Sequence, residues 1–498
     1  MTSVSATMPE RVETSFKLDS FLGLSFSIFF ERFAFYGIRW ALVLYFVWEV
    51  LPADFQAKFE GEHLYSAFLA LMLSLGVLGA YIADRCQCYL NAARVGVCLM
   101  ALGVFMIVMP DPTAFRIGLS CLVLGNALYR PGSLVLFSKT LGAQEAKQDV
   151  GLTLMYFLVN LAGFLAPLVT QYLATRVFGA ENKMALQVVF VVAGLSLLLS
   201  LACLHWGSKK LLTRDEFSDS VWQFLRTKTL WIGILVSLVL VYQLFTLSKQ
   251  GLTILSWASL LVAVALLFAD AASHKNAWKR LLLFMLALVL SFAWAIANEF
   301  LQVDIERIFM NWIKINSSLA AISPMLVATF SIFAIFVVTP LLVGLISLFS
   351  KSKKYPDLWG KWALALLLNV LFFCMLVIAS RDLFAGLENT FSLTTTSLVM
   401  AYLLQAGVEV MVTTLGYSAV LNFASTRRLA LAFAALLLAN RLGSQAAGFL
   451  MGEFPSLISN SPTEIHQHFE WASTGFALLA GVLLFVIMVV YFRNKKAS

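Results

Sequence analysis

Apolar residues run along this chain in long blocks broken by short polar turns, and the blocks repeat from Phe21 almost to the C-terminus. Each block approaches the roughly 20 residues that a helix needs to cross a bilayer. Lipid offers backbone N–H and C=O groups no partners, so such blocks must satisfy their hydrogen bonds internally, as helices do. The pattern predicts about fourteen spans, near 21–48, 64–83, 92–109, 114–138, 150–173, 186–206, 229–247, 252–271, 280–302, 323–349, 359–380, 393–422, 429–451 and 470–492. The expected fold class is an all-α polytopic membrane protein.

The polar breaks then divide the blocks. Residues 207–228, with Lys209, Lys210, Arg214, Asp215, Glu216 and Asp219, separate six leading spans from the rest. Two spans joined by the short turn Ser248-Lys249-Gln250 follow, and six more run from Trp278 onward. The expected organisation is an N-terminal segment 1–20, a six-helix bundle 21–206, a linker 207–228, an extra helix pair 229–271, a second six-helix bundle 272–492 and a tail 493–498. Two six-helix halves are the ground plan of the major facilitator fold, in which the halves rock around a site near the membrane midplane.

Composition narrows the function classes. The 498 residues are 60% hydrophobic and 12% charged, with a mean hydropathy of +0.86, far from the balance of soluble domains. Residues 1–20 hold Pro9, Arg11, Glu13 and Lys17 with no apolar h-region or cleavage site, so no signal peptide is expected to be removed. Basic clusters (Lys209, Lys210 and Arg214; Lys351, Lys353 and Lys354; Lys495 and Lys496) fall on the side shared by both termini, which predicts cytoplasmic termini. The net charge of +8 suits an anionic inner leaflet and needs no nucleic-acid partner.

Six cysteines lie in or beside spans or on the cytoplasmic side, so no structural disulfide is expected. His466 and His468 have no Cys or carboxylate companions, and neither a metal centre nor a cofactor is expected. An enzyme is not expected either, for the chain shows no phosphate-cradling glycine loop, zinc spacing or nucleophile elbow on a plausible element.

Ionisable groups inside apolar spans carry the chemistry, since each costs about 2.5–3.5 kcal/mol at a helix centre on insertion scales. Glu31, Arg32, Arg39, Arg130, Glu409 and Arg441 are of this kind. Arg39 follows Arg32 by seven residues, which puts both near one helical face, expected to point into a cavity. A purely architectural role, as interhelical salt bridges that fix packing, stands beside the functional one.

The segment Glu31-Arg32-Phe33-Ala34-Phe35-Tyr36-Gly37-Ile38-Arg39 resembles the first-helix signature ExxERFxYYGMR of the proton-dependent oligopeptide transporter family. Gly79-Ala80-Tyr81-Ile82-Ala83-Asp84-Arg85 is similar to that family's form of the facilitator loop motif, with Ala80 at its second glycine. Leu124-Gly125-Asn126-Ala127-Leu128-Tyr129-Arg130-Pro131-Gly132-Ser133 resembles GxGxxKPNxS, with arginine for lysine. Tyr156 and Asn160 fit the fifth-helix FYxxINxG, Ala293-Trp294-Ala295-Ile296-Ala297-Asn298-Glu299 resembles the seventh-helix FWALFEQ, and the segment from Glu409 to Ser418 resembles ELxxSPxGLS without its proline. The extra helix pair is also a feature of bacterial members.

The resemblance implies a transporter importing di- and tripeptides with protons across a plasma membrane, in a Gram-negative cell the inner membrane, and a monomeric chain. It gives Glu409 to the peptide's amino terminus, Arg39 and Arg130 to its carboxylate, and Tyr36, Tyr156, Asn160, Trp294 and Asn298 to further substrate contacts. Glu31, Arg32 and Glu299 become the proton-coupling groups, and Gly79, Asp84 and Arg85 the gating loop. Guanidinium forks suit a carboxylate, and backbone-directed hydrogen bonds accept many side chains.

Three departures from the family pattern bear on proton coupling. Ile28 stands where the signature has its leading acid, Arg130 cannot titrate as lysine can, and Asn298 occupies the place of the seventh-helix glutamate, with Glu299 one position later. A one-residue shift turns a side chain by about 100°, so Glu299 replaces that acid only if the helix is locally rewound; otherwise it is an acid at a helix end, near water. A second reading therefore keeps the transporter but changes its cargo to an amino-acid derivative, another peptide-like metabolite or nitrate, with coupling altered or lost. A third, a non-transporting sensor or scaffold, leaves the midplane charges without a purpose.

Overall fold

The computed structural model describes residues 17–51, 57–142, 144–179, 184–211, 228–273, 277–315, 324–350, 355–384, 391–453, 475 and 481–482. Thirteen α-helices lie among them. In chain order they are α1 (Leu18–Tyr45), α2 (Ala57–Cys86), α3 (Tyr89–Ile107), α4 (Pro112–Ser138), α5 (Glu145–Tyr172) and α6 (Leu186–Lys209). Then come α7 (Lys228–Leu244), α8 (Lys249–Ala272), α9 (Ala277–Ile315), α10 (Pro324–Ser350), α11 (Leu358–Phe384), α12 (Phe391–Phe423) and α13 (Leu429–Glu453). One π-turn each extends α1 (Phe46–Val50) and α5 (Leu173–Val177). The first thirteen expected spans fall on these helices; the span 470–492, with His466 and His468 just before it, lies outside the described residues.

Eleven helical stretches among the described residues are long and apolar enough to cross a membrane, and shorter apolar helices cover Trp231–Leu244 and Leu358–Phe372. Their outer faces carry hydrocarbon. On α7, Trp231, Ile232, Leu235, Val236, Val239 and Leu240 form one stripe, each at least 50% exposed. Such a surface is stable only in lipid. The protein is a multi-pass membrane protein.

Helix α9 is longer than its apolar pattern. No glycine or proline interrupts Ala277–Ile315, so the helix runs for 39 residues, about 58 Å, through Glu299 and well past a hydrocarbon core of about 30 Å. It is α-helical across Asn298 and Glu299, without local rewinding, so the two side chains keep their offset of about 100°.

The chain forms two compact units. The first holds α1–α4, α6, α7, the two ends of α5, α8 through Ala263 and the segment Thr426–Ala434. The second holds Leu152–Phe164 of α5, the remainder of α8, α9–α12 and α13 from Ala435. In the first unit, α1 and α6 meet backbone to backbone: a Cβ on Gly23 would sit 2.5 Å from the Gly207 Cα. Their seam is stitched by Ser27 Oγ, which hydrogen-bonds Tyr129 Oη (2.9 Å) and Ser200 Oγ (3.1 Å). Small residues and interhelical hydroxyl bonds are how helices associate where no hydrophobic force favours association.

A second close seam joins α2 to α4. Pro131 lies inside α4 and has no N–H, so the carbonyl of Ala127 one turn earlier loses its helical partner. Gly79 of α2 packs on that carbonyl, and a Cβ at Gly79 would overlap its oxygen. Gly79→Val is therefore expected to cost at least about 1–3 kcal/mol through overpacking against rigid backbone. The monodisperse fraction of purified protein and its unfolding midpoint in detergent should both fall; an unchanged midpoint would show that the seam is soft.

The second unit packs around aromatic side chains. Trp294 of α9, Trp359, Trp362 and Leu366 of α11, and Val408, Val412 and Leu415 of α12 form one buried cluster. It fixes the faces that α9 and α12 present elsewhere, including that of Glu409, one residue after Val408.

Candidate functional site

In the first unit Glu31 and Arg32 of α1 form a closed set. Arg32 donates from Nε to Glu31 Oε2 (2.6 Å) and from Nη2 to Glu31 Oε1 (2.5 Å), and the Asn126 amide of α4 donates to Glu31 Oε1 (3.2 Å). Glu31 is 2% and Arg32 4% exposed. The guanidinium also lies over the Phe35 ring, 4.7 Å from its centroid, an arrangement in which the ring face attracts the cation. A cavity of about 20 Å³ adjoins Glu31, Asn126 and the apolar side chains of Phe35, Ile38 and Phe68. It is large enough for one water.

Arg39 does not join this set. Seven residues, about 10 Å, along α1 it is exposed, and its Nε donates to Tyr65 Oη of α2 at 2.7 Å. Tyr36 lies half-buried between the two arginines, edge-on to Phe35 with ring centroids 5.3 Å apart. Arg130 is half-buried on α4, and its carbonyl accepts from Ser133 Oγ at 3.0 Å.

In the second unit the central feature is an acid with one phenol. Tyr156 of α5 donates its hydroxyl to Glu409 Oε1 of α12 at 2.6 Å. Asn160, one turn on, donates to the Tyr156 carbonyl of its own helix at 3.0 Å. Asn298 of α9 accepts at Oδ1 from Gln405 Nε2 of α12 (3.1 Å), so the place of the expected acid holds a neutral amide pair. Glu299 is half-buried and outside that pair, and Trp294 is 9% exposed within the apolar cluster.

The loop motif after α2 forms a clasp. Asp84, 3% exposed, accepts from the backbone N–H groups of Ala430 (3.1 Å) and Leu431 (2.8 Å), and from Tyr89 Oη (2.8 Å). These amides are among the unpaired donors of the first turn of α13, where the helix dipole favours a carboxylate. Arg428, just before α13, lies over the Tyr81 ring at 5.3 Å, and Arg85 is exposed.

Three partners escaped sequence reading: Asn126 for Glu31, Tyr65 for Arg39 and Gln405 for Asn298. Asn126 and Gln405 each stand four residues before a singled-out charge, Arg130 and Glu409, and so share its helical face. That spacing was the available signal. Tyr65 had none.

No family model matches the chain. It is 22% identical over 489 residues to dipeptide and tripeptide permease B of Aliivibrio fischeri, covering 94% of this chain and 93% of the relative. It is 23% identical over 476 residues to dipeptide and tripeptide permease A of Chromobacterium violaceum, covering 94% and 92%. Among solved structures, a proton dependent oligopeptide transporter superposes with a TM-score of 0.62 at 17% identity, covering 97% of this chain and all of that one. A POT family transporter in complex with a thioalcohol-conjugated peptide gives 0.61 at 18% identity, with 96% of each chain covered. Along nearly its whole length the chain is thus similar to bacterial dipeptide and tripeptide permeases, and its helical fold is shared with solved proton-dependent oligopeptide transporters.

Proposed function

We propose that the protein is a secondary transporter that imports di- and tripeptides with protons by alternating access, as a monomer with both termini in the cytoplasm of a bacterial cell. The observation that carries this reading is the Tyr156–Glu409 pair, an acid held by a single phenol deep in an otherwise apolar span. A carboxylate there is tolerable only with a partner or a proton, and a peptide ammonium is the partner it fits best. Arg39 and Arg130 are the candidates for the peptide carboxylate, with Tyr36 and Asn160 as further contacts. In this reading the Asp84 clasp is the gating element, supported by Gly79 through its seam with α4.

A second reading, transport with weakened coupling, is favoured by the amide pair of Asn298 and Gln405, which cannot carry a proton at the place where the family has an acid. One assay separates the two. Labelled dialanine is offered to proteoliposomes with and without an imposed inward proton gradient. Accumulation that needs the gradient is expected; gradient-independent equilibration would favour the second reading, and no uptake by folded protein would remove peptides as the cargo.

A further inference from the structure

We propose that Cys86 and Cys88 form a redox-sensitive dithiol that reacts with low-molecular-weight disulfides, and that its oxidation loosens the Asp84 clasp on α13.

The turn that ends α2 brings the two thiols together. Gln87 has φ of 52°, the left-handed conformation, and the Cys88 N–H returns to the Ala83 carbonyl at 3.3 Å, closing the helix with a Schellman-type cap. A non-glycine residue there carries steric strain. Its side chain offsets part of that, since Gln87 Nε2 donates to the Asp84 carbonyl (2.7 Å) and to Tyr89 Oη (3.2 Å). Reversing the chain at Gln87 brings Cys86 and Cys88 to the two sides of one tight turn, close enough for their thiols to act on each other electrostatically. Cys86 is exposed and Cys88 half-buried, and both are free.

The two thiols are unequal. Burial first, and the neighbouring Cys86 second, push the Cys88 thiol up to about 12. Cys88 therefore stays protonated, and exposed Cys86 is the sulfur that a soluble disulfide reaches first. The Cys86 thiolate attacks one sulfur of RSSR and expels RS⁻, leaving a mixed disulfide. The expelled RS⁻ takes the Cys88 proton as Cys88 attacks the Cys86 sulfur, and the second RS⁻ leaves. The two cysteine protons end on two RSH, and the two electrons of the oxidised pair on the reduced disulfide. On the proposed cytoplasmic side the resting state is the dithiol.

The consequence follows from connectivity. Tyr89, whose hydroxyl bonds Asp84, is the residue after Cys88, and the side chain of Gln87, between the cysteines, bonds both the Asp84 carbonyl and that hydroxyl. Drawing the two sulfurs to bonding distance refolds this turn and shifts the Gln87 and Tyr89 bonds that hold Asp84 in place, so its carboxylate moves off the Ala430 and Leu431 N–H groups.

The test treats full-length protein in lipid nanodiscs with oxidised glutathione, maps the peptide containing both cysteines by mass, and follows amide hydrogen exchange at Ala430 and Leu431. The peptide should lose two hydrogens and retain no glutathione, and Cys88→Ser should stop at one glutathione on Cys86. Exchange at the two amides should quicken about tenfold, as expected for a weakened charge-assisted hydrogen bond, and dithiothreitol should reverse it. Retention of two glutathiones, no reaction at Cys86, or a disulfide with unchanged exchange would each overturn the proposal. None of these readouts depends on the cargo.

Discussion

Glu409→Gln is expected to abolish dialanine uptake while leaving the protein folded. The amide keeps an oxygen for the Tyr156 hydroxyl, which now reaches Glu409 at 2.6 Å, so the packing of α5 on α12 is retained. The negative charge is lost, and with it the partner for the ammonium end of a peptide. Removing one member of a desolvated charge pair costs about 2–5 kcal/mol, which corresponds to a thirtyfold loss or more. The measurement compares initial rates in proteoliposomes over a wide range of peptide concentration. Uptake within about twofold of wild type, at the same half-saturating concentration, would exclude Glu409 as the amine site.

Glu31→Gln is expected to damage the fold itself. Arg32 is 4% exposed and receives both of its charge-neutralising contacts from Glu31, so the neutral amide leaves a buried guanidinium without a counter-charge. Stranding a buried charge costs about 3–5 kcal/mol, whereas replacing both members of a buried pair by apolar residues is often neutral. The single variant should therefore lose monodispersity in detergent, and the double variant Glu31→Met with Arg32→Met should recover it. Recovery also makes function measurable. If the pair couples transport to protons, the double variant folds but its uptake no longer responds to the proton gradient; a folded double variant with full gradient dependence would assign the pair to architecture.

Much of this was legible in the sequence because it follows from one-dimensional rules. Bilayer thickness fixes block length, and thirteen helices stand where apolar blocks predicted them. The boundary of α9 was missed because hydropathy reports where lipid ends, and this helix continues beyond it on residues that simply favour helix. Arg32 and Arg39 illustrate the limit for sites. Heptad spacing correctly sets their direction around α1, but says nothing of depth, and about 10 Å along the axis separates a sealed pair from an exposed side chain. Partners across helices, such as Tyr65 or Gln405, depend on rotation and register between segments far apart in the chain, which no local pattern encodes. Trp294 shows the converse: a residue inside a recognised motif lies within the apolar cluster of its unit.

The contact of Gly79 with the Ala127 carbonyl has a mechanical meaning. Side-chain interfaces slide by exchanging rotamers, but a backbone pressed on a backbone offers no such freedom, and Pro131 ensures that this carbonyl has no helical bond to return to. Helices α2 and α4 therefore form one stiff plank within their unit. In any working cycle the plank is carried along whole, and the deformation falls on seams whose side chains can repack.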